Sequence, residues 1–144
     1  MKIFCHEKEL LASAGLDASQ IQKIFNRAGQ LVFQKAGGGT AVNVIFVTSL
    51  AIQKLNWKFR QINEPTDVMA FPIFANKILG EIYICLEEAR RNARNYRQRL
   101  EHELLRLFIH GGLHLLGYQD GKKVERDKMW QKQEAVIKRV IRGD

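Results

Sequence analysis

The stretch of this chain with the most chemistry in it is His110-Gly-Gly-Leu-His114-Leu-Leu-Gly117-Tyr-Gln-Asp120. On a helix, residues four apart lie one above the other, so the two imidazoles can reach one ion. Gly117 can take the left-handed backbone that ends a helix and turns the chain back, bringing Asp120 toward the same point. Two imidazoles and one carboxylate leave a coordination position open, which a catalytic ion needs and a structural one does not. The same frame in metzincin-like proteases carries a Glu after the first His as general base. Here that residue is Gly111, so the frame lacks the base for peptide hydrolysis and points to a different reaction. The plain alternative is a pair of helix histidines satisfied by carbonyls or water, with Gln119-Asp120-Gly121 as an ordinary turn. The conjunction of both histidines, the glycine and the aspartate favours the metal.

The elements that must hold these residues can be read from periodicity. After a short apolar opening at Ile3–Cys5, residues 18–36 place Ile21, Ile24, Phe25, Ala28, Leu31, Val32 and Ala36 at helical spacing. The glycines 37–39 then stop that helix, and the Val/Ile/Phe-rich run 41–48 reads as a buried strand. Ser49 can cap a helix over 50–59, and Pro65 marks a turn or extended piece between 63 and 67. Residues 68–74 and 79–86 read as two strands joined as a hairpin through 75–78. No proline interrupts 87–116, whose first half is charged and second half apolar nearly all round. This predicts a surface helix, a break near Tyr96 and a buried helix bearing both histidines. A last helix over 124–141 turns Met129, Val136, Ile137, Val140 and Ile141 to one side. With no repeat or linker, one α+β domain over 1–144 is the expected organisation.

The 144 residues, 46% of them hydrophobic, suffice for a core without staples. Cys5 and Cys85 stand too far apart to suggest a disulfide framework or a metal knuckle, and are expected to be reduced, buried thiols. The opening MKIFCHEKELL has no apolar leader core and no later stretch is long enough to span a bilayer, so a cytoplasmic protein with no membrane partner is expected. Fifteen acidic against 23 basic side chains leave +8, which favours a polyanionic partner such as nucleic acid.

Several further blocks share a pattern with the histidine stretch: Leu55-Asn56 with Phe59-Arg60, EPTDVMAFP over 64–72, LGEIYI over 79–84, and the trailing Met129 and Glu134. Together, over roughly 40–141, they resemble the YbeY family, bacterial rRNA maturation factors described as single-strand-specific endoribonucleases. The resemblance implies a single α+β domain with a small mixed sheet packed with helices, and a metal held by three histidines in the pattern HGxLHLxGYDH. It carries His110 and His114 over as the first two ligands. Where the family has Asp then His, this chain has Gln119 and Asp120, so Asp120 stands at the third ligand position. A carboxylate there still binds one divalent ion, zinc by the family's habit, but shifts preference toward harder cations. Arg60 matches the family's functional arginine; by position alone it would be a solvated helix-end residue. The implied substrate is single-stranded RNA, and the implied setting is small-subunit rRNA 3′-end maturation and quality control on the ribosome.

On this reading the ion activates water or polarises the phosphodiester, while the planar guanidinium of Arg60 holds the phosphate. No side chain stands out as general base. Arg90, Arg94 and Arg97 fall on one face of the charged helix, either as an RNA track or as a solvated face balanced by Glu87, Glu88 and Glu101. Two rival functions remain: a ribosome-associated rRNA-binding factor whose metal only staples the fold, and, with Gly111 against it, a metalloprotease. Oligomeric state is not legible from the sequence.

Overall fold

The computed structural model describes residues 1–36 and 40–143. Its elements run β1 (Lys2–His6), α1 (Lys8–Ser13), α2 (Ala18–Val32), β2 (Ala41–Val47), α3 (Ser49–Arg60), β3 (Val68–Ala75), β4 (Ile78–Cys85), α4 (Leu86–Asn95), α5 (Leu100–Leu115) and α6 (Lys123–Arg142). The strands form one mixed sheet ordered β1-β2-β4-β3, with β1, β2 and β4 parallel and β3 antiparallel to β4. This is the expected α+β domain. Four sequence expectations shift at the local level. The apolar opening is a full strand, and the six-residue α1 behind it carries too little periodicity to announce itself. Helix α2 ends at Val32, earlier than expected, so the terminating role assigned to glycines 37–39 lies outside the described residues. The cap of α3 is Thr48, not Ser49: the Thr48 hydroxyl accepts from Ala51 N, while Ser49 N donates to Glu87 Oε1. The hairpin turn is reduced to Asn76 and Lys77, both with positive φ, as a two-residue turn between right-twisted strands requires.

Period-two alternation splits the sheet's side chains between two faces. Val42, Val44, Phe46, Ile82 and Ile84 enter the main core, where Phe25 of α2 stacks on Phe108 of α5 at 4.5 Å. Their neighbours Tyr83 and Cys85, with Met69 and Phe71, meet Ile52 and Leu55 of α3 on the opposite face. Each large apolar side chain so buried contributes roughly 1.5–3 kcal/mol. Strand β3 is one of the two edges, which is where Pro72 can sit without breaking a ladder; the register slips between Pro72 and Ala75, around Phe74 at φ 51°.

Helix α5 is the axle of the fold, packed on β3 and β4 and flanked by α2, α4 and α6. Its glycine pair makes that possible. A Cβ at Gly111 would stand 2.7 Å from Ile82 Cγ2, and one at Gly112 would stand 2.9 Å from the Phe33 ring. The helix therefore lies against both layers only because these two positions lack side chains. Both cysteines are free, and burial pushes the Cys5 thiol up to about 11, which leaves it protonated and inert at neutral pH. Among the described residues no helix is long and apolar enough to cross a membrane.

Candidate metal centre and cleft

Helix α5 ends in a Schellman motif that also shapes the site. Gly117, at φ 95°, lets Tyr118 N reach back to Leu113 O (3.1 Å) and Gly117 N to His114 O (3.0 Å). The reversed chain then places Asp120 above the two histidines, and Arg126 of α6 holds the loop through Gly121 O at 3.2 Å. The Nε2 atoms of His110 and His114 lie 3.2 Å apart, and Asp120 Oδ2 lies 3.7 and 3.3 Å from them. Donors on a tetrahedral ion with bonds of ~2.05 Å would be about 3.3 Å apart. The three residues that the spacing singled out are thus brought together, and they could hold a metal ion.

Hydrogen bonding fixes which nitrogen faces that point. His114 Nδ1 lies 3.0 Å from Tyr118 O, an acceptor only, so Nδ1 carries the proton. His110 Nδ1 lies 2.9 Å from Gln133 Oε1. The Gln133 amide is itself oriented, because its Nε2 donates to Glu134 Oε2 (3.4 Å), and Glu134 is gripped by two nitrogens of Arg106 at 3.2 and 3.3 Å. Both Nδ1 atoms therefore donate outward, and both Nε2 lone pairs converge with a carboxylate oxygen. Burial pushes the His110 pKa below its usual range, with Gln133 pulling the other way, which favours the neutral ring, the state that can ligate. Three electron-pair donors facing one point form a set that could hold a cation.

A cleft of about 730 Å³ opens over this point, and Arg60 lines it. Phe59 packs on Phe71 at 4.9 Å, and Phe71 packs edge-on to Tyr83 at 5.6 Å, which anchors the end of α3 on the wall of the cleft that the candidate donors share. Gln61 then takes a left-handed turn, and the buried Asn56 amide holds the following loop by donating to Glu64 O (2.9 Å). Arg60 is exposed, and among the described residues no hydrogen bond or ion pair engages its guanidinium. It lines the cleft as an exposed cation with unengaged donors.

Sequence reasoning missed Gln133, whose place on α6 gives no local signal, and Asp67. Asp67 was visible inside the EPTDVMAFP block, but its position was not: it lines this cleft and a second one behind His110, where Asn92 donates to it at 3.0 Å. The arginine face resolves residue by residue. Arg91 and Arg99 are tied to Glu88 and Glu101, whereas Arg90, Arg94 and Arg97 line a groove beside residues 14–16.

A family model described as endoribonuclease YbeY matches residues 7–141. Among relatives named endoribonuclease YbeY, that of Thermotoga maritima is 39% identical over 110 residues, covering 76% of this chain and 73% of its own length. That of Endomicrobium trichonymphae is 40% identical over 97 residues, covering 67% and 69%. A third, from Chlorobium phaeovibrioides, is 34% identical over 114 residues, covering 78% and 77%. The solution structure of a Thermotoga maritima protein matches with a TM-score of 0.65 at 32% identity, covering 96% of this chain and 87% of that one.

Proposed function

This chain belongs to the endoribonuclease YbeY family, and from that premise we propose that it is a metal-dependent endoribonuclease that cleaves single-stranded RNA. Its ligands are His110, His114 and Asp120, its phosphate-binding residue is Arg60, and its ion is divalent, zinc being the first candidate. Its setting is the cytoplasm, in small-subunit rRNA 3′-end maturation and ribosome quality control. The observation that carries the reading is the convergence of two Nε2 lone pairs and a carboxylate oxygen beneath a cleft whose other wall offers the unengaged guanidinium of Arg60.

A divalent ion held by these three side chains supplies Lewis acidity toward a phosphoryl oxygen and lowers the pKa of water toward neutrality. The protein's own groups do the rest. Arg60 presents paired N–H donors that match two phosphate oxygens, and it offsets charge that builds on them. Tyr118 O and Gln133 hold the imidazole protons away from the cleft. Gly111 is pressed on Ile82, so the helix position that bears the base in a metalloprotease cannot bear one here. Metal analysis of the purified protein, with cleavage of single-stranded and duplex RNA before and after chelation, tests the proposal. Cleavage of single strands, lost on chelation and restored by zinc, is expected. A fully metallated, folded protein that cuts no RNA would instead make the ion a structural staple in an rRNA-binding factor.

A further inference from the structure

The second cleft, of about 510 Å³, has no part in the chemistry so far described, yet Asp67, Val68 and His110 form a wall common to both. On its lining stand Tyr96 and Trp130, 71% and 61% exposed, one just past the end of α4 and the other on α6. Beyond them, Gln98 joins this cleft to the arginine groove of Arg90, Arg94 and Arg97, about 450 Å³. Three hollows thus follow one another from the metal donors, past two aromatic rings, to three guanidinium groups.

The turn carrying Tyr96 is built for placement. Gln98 N donates to Ala93 O (2.8 Å) and Arg97 N to Arg94 O (3.3 Å), the Schellman pattern again. At the ends of α1 and α5 the left-handed position of this motif is Gly15 or Gly117; here it is Arg97 at φ 53°. That backbone disfavours a side chain, and what the chain keeps there is a guanidinium in the groove.

Charge assigns the hollows different parts of one ligand. The arginine groove suits phosphates: its one carboxylate, Glu101, is paired with Arg99, and among the described residues only the Arg90 guanidinium of its three is engaged by a neighbour, donating to Ala14 O at 3.2 Å. The middle cleft does not: Asp67, Glu103 and Glu134 face a single guanidinium, Arg106, already engaged by both glutamates. A flat, neutral body with amino donors on its edge fits there, stacking on exposed rings and offering hydrogen bonds to carboxylate and amide oxygens. We propose that the Tyr96–Trp130 cleft is a nucleobase subsite for single-stranded RNA, next to the phosphate held at Arg60 and the metal donors, and that the strand's backbone continues into the arginine groove. The position of the cut phosphate rests on the endoribonuclease reading; the stacking does not. A subsite of this kind selects single strands, because a base locked in a duplex cannot leave its stack to enter it.

Trp57 and Trp130 are the chain's two tryptophans, so Trp57→Phe makes Trp130 the sole reporter. The probe is a cleavage-resistant 2′-O-methyl phosphorothioate oligoadenylate of about a dozen nucleotides, beside an abasic strand of equal length, with zinc-loaded protein. The oligoadenylate should quench Trp130 and the abasic strand should not. Tyr96→Ala and Trp130→Ala should each weaken binding about 5- to 150-fold with the salt dependence unchanged, since every phosphate keeps its cation. Tyr96→Phe and Trp130→Phe keep a ring and should bind as the wild type does, which separates stacking from misfolding. Arg94→Ala with Arg97→Ala should flatten the salt dependence by about 0.7 in logarithmic slope for each phosphate no longer neutralised. Wild-type affinity in both alanine variants, or equal binding and quenching by the abasic strand, would overturn the subsite. Unmodified RNA is assayed alongside: quenching without cleavage would sink the endoribonuclease reading and leave the base subsite standing.

Discussion

Replacing Gln133 with leucine isolates the contribution of one hydrogen bond to metal affinity. Gln133 is 6% exposed, and its Oε1 accepts from His110 Nδ1 at 2.9 Å. Leucine fills a similar volume, and Glu134 keeps both of its hydrogen bonds with Arg106, so the surroundings stay in place. The imidazole, however, loses the acceptor that held its proton on Nδ1. Without a metal the ring can move its proton to Nε2, toward the Asp120 carboxylate, and so escape most of the ~1–3 kcal/mol that an unmet buried donor costs. Metal binding forbids that escape, because Nε2 must offer its lone pair. The penalty therefore falls on the metal-bound state, and zinc affinity should drop about 10- to 100-fold, or ~1.4–2.7 kcal/mol. Competition against a chromophoric chelator measures the affinity, and urea unfolding of the metal-free protein checks that the fold is unharmed. Gln133→Glu, which keeps an acceptor, should bind zinc at least as tightly as the wild type. Should Gln133→Leu bind zinc within about twofold of wild type while folded, the acceptor at His110 Nδ1 does not govern affinity.

His110→Ala and His114→Ala should each retain no metal on gel filtration, since only two protein donors remain. Asp120→His should raise the preference for zinc over manganese, and Asp120→Ala should weaken binding of either; unchanged affinity in the alanine variant would return Asp120 to the turn. Arg60→Lys should keep the metal and the fold but cut RNA more slowly, and Arg60→Ala should lose about a hundredfold in rate, ~3 kcal/mol, with wild-type cleavage as the refuting result. Glu103 gives a pH signature: burial raises its carboxyl above the usual range, against the pull of Asn92 and Arg106. A carboxyl that holds its proton more tightly when folded adds stability below its unfolded pKa and loses it as pH rises through the folded one. The stability of Glu103→Gln relative to wild type should therefore increase from about pH 4 to pH 7 in urea melts, and a pH-independent difference would contradict that sign.

What could be read in advance was what the chain keeps local. His110, His114, Gly117 and Asp120 lie within one helix end and its reversal, and spacing alone dictates their geometry. The hairpin over 68–85 and the break near Tyr96 were legible for the same reason. Partners brought in from far along the chain were not. Gln133 lies 23 residues from His110, and nothing near it in sequence signals that it faces a histidine. The glycine pair 111–112 was legible as a missing base but not as the clearance that seats α5 on Ile82 and Phe33. For Arg90, Arg94 and Arg97 the sequence allowed a track or a solvated face. Spacing set these three apart from Arg91 and Arg99; what it did not show is that Arg91 and Arg99 are tied to Glu88 and Glu101, because ion pairs depend on rotamers.

The three residues that could hold a metal are unequal in freedom. His110 and His114 are rungs of a single buried helix and cannot part without melting it, whereas Asp120 is half exposed on a loop tethered through Arg126. On the proposed function, exchange of an ion with solvent would be governed by one swinging carboxylate, with release beginning when Asp120 turns outward and capture ending when it turns back. All three donors would contribute to affinity, but the loop would set the residence time. Tightening or loosening the 118–122 segment would change how fast the ion comes and goes while leaving the two imidazoles that recognise it untouched.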